Sequence, residues 1–191
     1  FSIDVSDPAD LWLGTRLGAS RFNGFTFTNY DSLNSGLPVN KITAIVKNGS
    51  DIWMGTNVGL VKYDGTNWTI FNTINSGLIN DTITSIKVSA NGSVWVGTFR
   101  GVSVYQNSNW TSFSYQNSIL PSIPIYEIET DVFNNCWISA SGIFKISPTG
   151  QVFSLAQLIQ EDFPLQVLPR TGLGKDISGK IAINAPIKSG M

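Results

Sequence analysis

The stretch Trp53-Met54-Gly55-Thr56 recurs as Trp12-Leu13-Gly14-Thr15 and as Trp95-Val96-Gly97-Thr98. A decayed copy stands at Trp137-Ile138-Ser139-Ala140. The tryptophans are 41, 42 and 42 residues apart. A constant period in this range marks a repeat architecture, in which each unit packs on the next.

Aligned on the tryptophan, the rest of each unit falls into register. A Gly-apolar pair follows at Gly18-Ala19, Gly59-Leu60 and Gly101-Val102. Aromatics recur at Phe22, Tyr63 and Tyr105, at Phe27, Trp68 and Trp110, and at Tyr30, Phe71 and Phe113. Leu33-Asn34-Ser35-Gly36-Leu37 matches Ile74-Asn75-Ser76-Gly77-Leu78. The second unit contains four short apolar runs, A to D, at 42–47, 51–56, 59–63 and 67–71. Asn48-Gly49 and Asp64-Gly65 separate A from B and C from D, and such pairs supply the positive φ of tight hairpins. Ile, Val, Trp, Tyr and Phe dominate the runs, as they do in strands. Run B is apolar on consecutive residues, which predicts cover on both faces.

Four strands about every 42 residues is the unit of a β-propeller blade. The expected fold is all-β: four-stranded antiparallel blades near 1–31, 42–72, 83–114 and 125–155, with a partial fifth repeat over 165–191. That makes about four and a half blades, part of a larger ring. A short helix or turn is expected near 153–160.

The pattern Trp-x-Gly-Thr…Gly-Leu…Tyr-Asp-Gly…Trp…Gly-Leu resembles the two-component-regulator propeller repeat. The resemblance spans roughly 1–154, with the fourth unit eroded. It implies the periplasmic sensor domain of a bacterial hybrid two-component system, which binds products of glycan breakdown on a ring of seven blades. It equally admits a structural or interaction module of a cell-surface or secretion apparatus. Either places the chain in the periplasm, outside the cell or on its surface. The start at Phe1 fits a processed protein or a piece of a longer one.

Composition narrows the chemistry. Charged residues make up 13% and net charge is −1, so no basic face is available for nucleic acid. No stretch approaches the ~20 apolar residues of a membrane helix. The chain has no histidine; the commonest general base and most zinc sites are therefore absent. Cys136, the single cysteine, reads as a small buried hydrophobe beside Trp137. Gly172-Leu173-Gly174-Lys175 lacks the spacing of a phosphate-binding loop. The expectation is a non-catalytic protein without cofactor or metal.

Alternating strand direction sorts the loops onto two faces. D→A loops (31–41, 72–82, 114–124) and B→C loops share one face, expected near the mouth of a central channel. There Arg16, Lys41 and Arg100 suit a carboxylate or sulfate. Asn57 lies on a B→C loop of the same face, and Asn34, Asn75 and Asn117, at equivalent positions, suit hydroxyl groups or else cap their own loops. The expected partners are an oligosaccharide, further propeller or signalling domains, or a second copy meeting an open blade.

Overall fold

The computed structural model describes residues 1–160, 172–175 and 181–184. The first blade is β1 (Ser2–Asp4), β2 (Leu11–Thr15), β3 (Gly18–Phe22) and β4 (Phe27–Tyr30), in that order across an antiparallel sheet. The second is β5 (Ala44–Asn48), β6 (Asp51–Gly55), β7 (Leu60–Tyr63) and β8 (Trp68–Phe71). The third is β9 (Ile83–Val88), β10 (Val94–Thr98), β11 (Gly101–Gln106) and β12 (Asn109–Phe113). The fourth is β13 (Glu127–Thr130), β14 (Cys136–Ser139), β15 (Ile143–Ile146) and β16 (Val152–Ser154), followed by the short helix α1 (Leu155–Gln160). Strands β17 (Gly172–Lys175) and β18 (Ile181–Asn184) pair antiparallel, Gly172 opposite Asn184. The rest of the expected fifth repeat, at 165–171, 176–180 and 185–191, lies outside the described residues, as do residues 161–164. The described residues form an all-β partial propeller of four four-stranded blades.

The A strands touch their neighbours in series, β1 with β5, β5 with β9 and β9 with β13. They line the axis, and the D strands form the rim. The core is three inter-blade layers rather than one centre. Trp12, Ile45, Met54 and Val61 fill the first layer, Trp53, Leu60, Ile86 and Val96 the second, and Trp95, Val102, Ile128 and Ile138 the third. Each tryptophan stacks on the rim aromatic of its own blade: Trp12 on Tyr30 at 5.5 Å, Trp53 on Phe71 at 5.8 Å, Trp95 on Phe113 at 6.4 Å. Tyr63 and Tyr105 of the following blade tilt against Trp12 and Trp53 from the other side. Trp68 and Trp110 join these layers as partly buried packing residues.

The repeated motif is explained residue by residue. A Cβ on Gly55 would meet Ile83 of the next blade at 2.6 Å, so glycine here lets the blades close up. Gly14 and Ile42 stand in the same relation, also at 2.6 Å. Thr56 donates its hydroxyl to the Gly59 carbonyl at 2.7 Å and accepts the Val58 N–H at 3.1 Å, stapling the B→C turn. Gly59 has φ +134°, and a Cβ there would lie 2.5 Å from the Phe71 carbonyl oxygen. Ile83 N–H donates to the Thr56 carbonyl at 2.8 Å, and Ile42 N–H to the Thr15 carbonyl at 2.8 Å, tying each blade to the one before it.

On the hairpin face, charges join the first two blades. Lys47 Nζ lies 3.0 Å from Asp7 and 2.8 Å from Asp10, and Arg21 Nε lies 2.6 Å from Asp10. Burial of Asp10 opposes its ionised form, but the hydrogen bonds from Arg21 and Lys47 outweigh it and hold its pKa below the ordinary carboxylate value. Asp7 is held low chiefly by its hydrogen bond from Lys47. Carboxylates with lowered folded pKa values stabilise fully above their unfolded values and lose that contribution as pH falls through the folded ones.

Two outcomes follow. Gly59→Ala should destabilise the protein by about 1–3 kcal/mol or more, from positive φ plus the clash with the Phe71 carbonyl. Gly65→Ala, at φ +97° with open space around it, should cost less, and urea unfolding of the pair compares the two. The second concerns acid. Lys47→Met should flatten the loss of stability below about pH 4, read as the urea midpoint against pH; an unchanged acid limb would show that the cluster contributes nothing.

Candidate functional site

The B→C turns and the D→A loops carry the candidate site. In three blades the Gly-Thr staple fixes the B→C turn, through Thr15, Thr56 and Thr98 to the carbonyls of Gly18, Gly59 and Gly101. Each staple holds two outward residues: Arg16 and Leu17, Asn57 and Val58, Phe99 and Arg100. The fourth blade has Ser139-Ala140 instead and closes this turn by a backbone bond from Ala140 N–H to the Gly142 carbonyl at 2.9 Å.

The D→A loops open with a turn capped from both sides. Asp31 accepts the N–H groups of Leu33 and Asn34 at 2.7 and 3.0 Å, and Asn34 accepts the Asp31 N–H at 2.9 Å. Asn72 and Asn75 repeat this arrangement around Ile74. Ser35 and Ser76 hydroxyls donate to the Asp31 and Asn72 carbonyls. Asn40 and Asp81 accept the N–H groups of Ser32 and Thr73 and pin the far side of each loop. Side-chain caps of this kind give the backbone the partners that a strand or helix would otherwise supply.

All seven residues expected at the site are exposed on this face. Asn57 is held outward on its stapled B→C turn; the other six divide into two groups. Asn34, Asn75 and Asn117 donate to the carbonyls of Asn29, Ile70 and Ser112 on the outermost strands. Their carboxamides thus cap the loop and sit at the rim, not at a channel mouth, because a D→A loop begins at the outer strand. One lone pair and one N–H remain on each. Lys41 lies at the opposite, inner end of its loop, beside Ile42. Arg16, Lys41 and Arg100 make no ion pair among the described residues.

Apolar residues on this face escape a reading that looks for charge. Leu33 and Ile74 are 94% and 93% exposed, at equivalent tips of two capped turns. Leu17, Phe99, Tyr115 and Tyr126 are exposed as well. The available signal was Leu33 and Ile74 recurring inside loops otherwise built of Asn, Ser and Gly. The face therefore combines cations, aromatic rings and aliphatic tips on rigid turns, and it suits binding. Among the described residues no group of three His, Cys, Asp or Glu is placed to hold a metal ion, and no helix is long and apolar enough to cross a membrane. Cys136 is fully buried, and burial raises its pKa well above the usual thiol value. It is a packing residue, not a nucleophile.

Residues 77–100, from one crossing loop through the Trp-x-Gly-Thr of the third blade, match the two component regulator propeller family. The chain carries a two-component regulator propeller repeat. Similar solved structures include the extracellular domains of two hybrid two-component systems of B. thetaiotaomicron. One is 22% identical with a TM-score of 0.71 over 91% of this chain and 25% of that one; the other is 22% identical with a TM-score of 0.70 over 95% and 24%. The chain spans about a quarter of the length of these two relatives. Virginiamycin B lyase of Staphylococcus aureus is similar at 14% identity and a TM-score of 0.70, over 96% of this chain and 62% of the enzyme. A catalytically inactive form of that lyase, with a histidine replaced by alanine, has been solved with quinupristin. At these identities the likeness is one of fold. No curated protein sequence matches the chain.

The caps have a measurable worth. Asn75→Ala removes two backbone hydrogen bonds at an exposed turn and should cost about 1–2 kcal/mol of stability. Faster amide exchange at Asn72, which loses its acceptor, and through Ser76 should accompany the loss, with β6 unaffected.

Proposed function

We propose that the chain is a non-catalytic ligand-binding propeller of an extracellular or periplasmic sensor, and that it binds on the D→A and B→C loop face. The observation that carries this reading is the set of outward residues held on stapled and capped turns. Rigid presentation lowers the entropy cost of binding. Loops that served only as connections would not need Thr staples in three blades and paired Asx caps in two successive loops.

An acidic, carbohydrate-derived ligand suits the face. Arg16, Lys41 and Arg100 pair with carboxylate or sulfate groups. Phe99, Tyr115 and Tyr126 offer apolar ring faces to sugar C–H groups. The likeness to sensor extracellular domains supports the sensing role. The missing histidine argues against turnover like that of the lyase, whose inactive form lacks one.

A second reading is favoured by one observation, the nearly full exposure of Leu33 and Ile74. Aliphatic side chains held rigidly in solvent suit a protein surface better than a sugar. On that reading the chain is an interaction module of a surface or secretion assembly, and fold alone does not choose between them.

Thermal-shift and calorimetric titration against acidic and neutral oligosaccharides separates the two. A ligand at 100 times its Kd adds about 2.7 kcal/mol to stability. Arg16→Gln with Arg100→Gln should weaken an acidic sugar at least tenfold, while Leu33→Ser with Ile74→Ser leaves it unchanged. Sensitivity to the second pair alone would favour a protein partner. If no sugar shifts the melt at millimolar concentration, the carbohydrate reading fails.

A further inference from the structure

Three Asn-Gly pairs stand in the hairpin turns, at Asn23-Gly24, Asn48-Gly49 and Asn91-Gly92. In such a pair the backbone nitrogen of the glycine can reach the asparagine Cγ, because the second residue has no side chain to block the approach. Space does not separate the three pairs, since a Cβ on Gly24, Gly49 or Gly92 would meet nothing within 4 Å. Hydrogen bonding does separate them.

Asn48 reaches away from its glycine, and its Nδ2 donates to the Gly92 carbonyl of the next blade at 3.0 Å. At Asn91 the attacking nitrogen is engaged, because the Gly92 N–H donates to the Ser89 carbonyl at 2.9 Å. Asn34, Asn75 and Asn117 are restrained in the same way: the N–H groups of Ser35, Ser76 and Ser118 donate to the carbonyls of Asp31, Asn72 and Ser114. Asn23 differs on both counts. The Gly24 N–H makes no hydrogen bond among the described residues. The Asn23 Oδ1 accepts the N–H groups of Phe25 and Thr26 at 3.1 and 2.9 Å and the Thr26 hydroxyl at 3.3 Å. These bonds fold the carboxamide back over the Asn23–Gly24 peptide. They also put donors on the oxygen that gains negative charge when a nucleophile adds to Cγ, which is how an oxyanion is stabilised in acyl transfer.

We propose that Asn23 is a site of spontaneous deamidation in the folded protein, and that its aspartate product keeps the turn. The Gly24 nitrogen loses its proton to solvent base and forms a bond to Asn23 Cγ. The Cγ–Nδ2 bond then breaks, and Nδ2 leaves as ammonia with a proton from solvent. Water opens the resulting succinimide at either carbonyl and gives aspartate or isoaspartate at that position. The net change is amide plus water to acid plus ammonia. The second blade shows the product turn. Asp64 stands at the position of Asn23, and its Oδ1 accepts the N–H groups of Thr66 and Asn67 at 2.9 and 2.7 Å. Both turns close through the same backbone bond, from Asn23 N–H to the Thr26 carbonyl and from Asp64 N–H to the Asn67 carbonyl. The backbone bonds from Asn67 and Thr66 hold the Asp64 carboxyl below its ordinary pKa, so a carboxylate suits this turn. Residues 64–67 are exposed, as residues 23–26 are, although blades flank the second one on both sides. Access of water is therefore a property of the C→D turn itself. That turn lies on the hairpin face, away from Arg16, Lys41 and Arg100, so the inference is independent of the binding role proposed above.

The test is peptide mapping by mass spectrometry of the whole chain, aged in mildly alkaline buffer at physiological temperature. A parallel sample aged in guanidinium chloride supplies the rates of the unfolded chain. Folding should leave Asn23 at least as fast as in denaturant. It should slow Asn48 and Asn91 by about tenfold or more, the factor that one hydrogen bond carries. The proposal is overturned if folding slows Asn23 as much as it slows those two, or if another asparagine reacts first in the folded protein. Asn23→Asp should unfold at the wild-type denaturant midpoint, and a lower midpoint would show that the turn does not hold the carboxylate.

Discussion

The structure depends on how closely one blade approaches the next. Gly55 leaves 2.6 Å between an absent Cβ and Ile83, and that spacing brings Trp53 into contact with Phe71 on its own blade and Tyr105 on the following one. The indole is then enclosed on both sides, and it is 1% exposed. Its Nε1 has no hydrogen-bond partner among the described residues, and the same holds for Trp12 and Trp95. An unmade bond of this kind costs about 1–3 kcal/mol. Burying a large aromatic recovers a comparable amount before stacking is counted. The motif therefore favours ring contact over a satisfied N–H. The fourth blade differs: Trp137 Nε1 donates to Asp131 at 2.9 Å, and the ring is only half-buried.

The same motif residues build the loop face. Threonine after the glycine receives an N–H from the next blade's first residue on its carbonyl and closes the B→C turn with its hydroxyl. One residue thus links blade packing to loop geometry. Variation is left to the two positions inside the staple, where Arg16-Leu17, Asn57-Val58 and Phe99-Arg100 differ in every way the turn permits. A stable framework with free tips is the arrangement on which binding surfaces are usually carried. Where the motif decays, at Ser139-Ala140, the staple goes with it.

Stability is local in such a chain. Each layer joins two blades only, so the protein behaves as a short row of coupled units. The salt-linked cluster of Asp7, Asp10, Arg21 and Lys47 adds a second tie between the first two blades on the side away from the loops. Cross-strand cations also lie over the tryptophans: Arg21 is 5.7 Å from the Trp12 ring and Lys62 5.7 Å from the Trp53 ring. These charges cover the edge of the aromatic layer while their stems pack on it.

The sequence alone determined the blade. Its 41–42-residue period, Asn-Gly and Asp-Gly turns and doubly apolar B runs leave few alternatives, because each signal is local and repeats. Strand ends fell within a residue or two of expectation, as at β5 to β8. The tertiary structure decided what the loop residues do. Asn34, Asn75 and Asn117 read in sequence either as hydroxyl-binding groups or as caps of their own loops; their partners, Asn29, Ile70 and Ser112, belong to outer strands, and only the fold brings a loop back over the strand it left. Exposure of Leu33 and Ile74 was equally hidden, since an aliphatic residue in a loop reads as buried until the caps on both sides are seen to hold it outward.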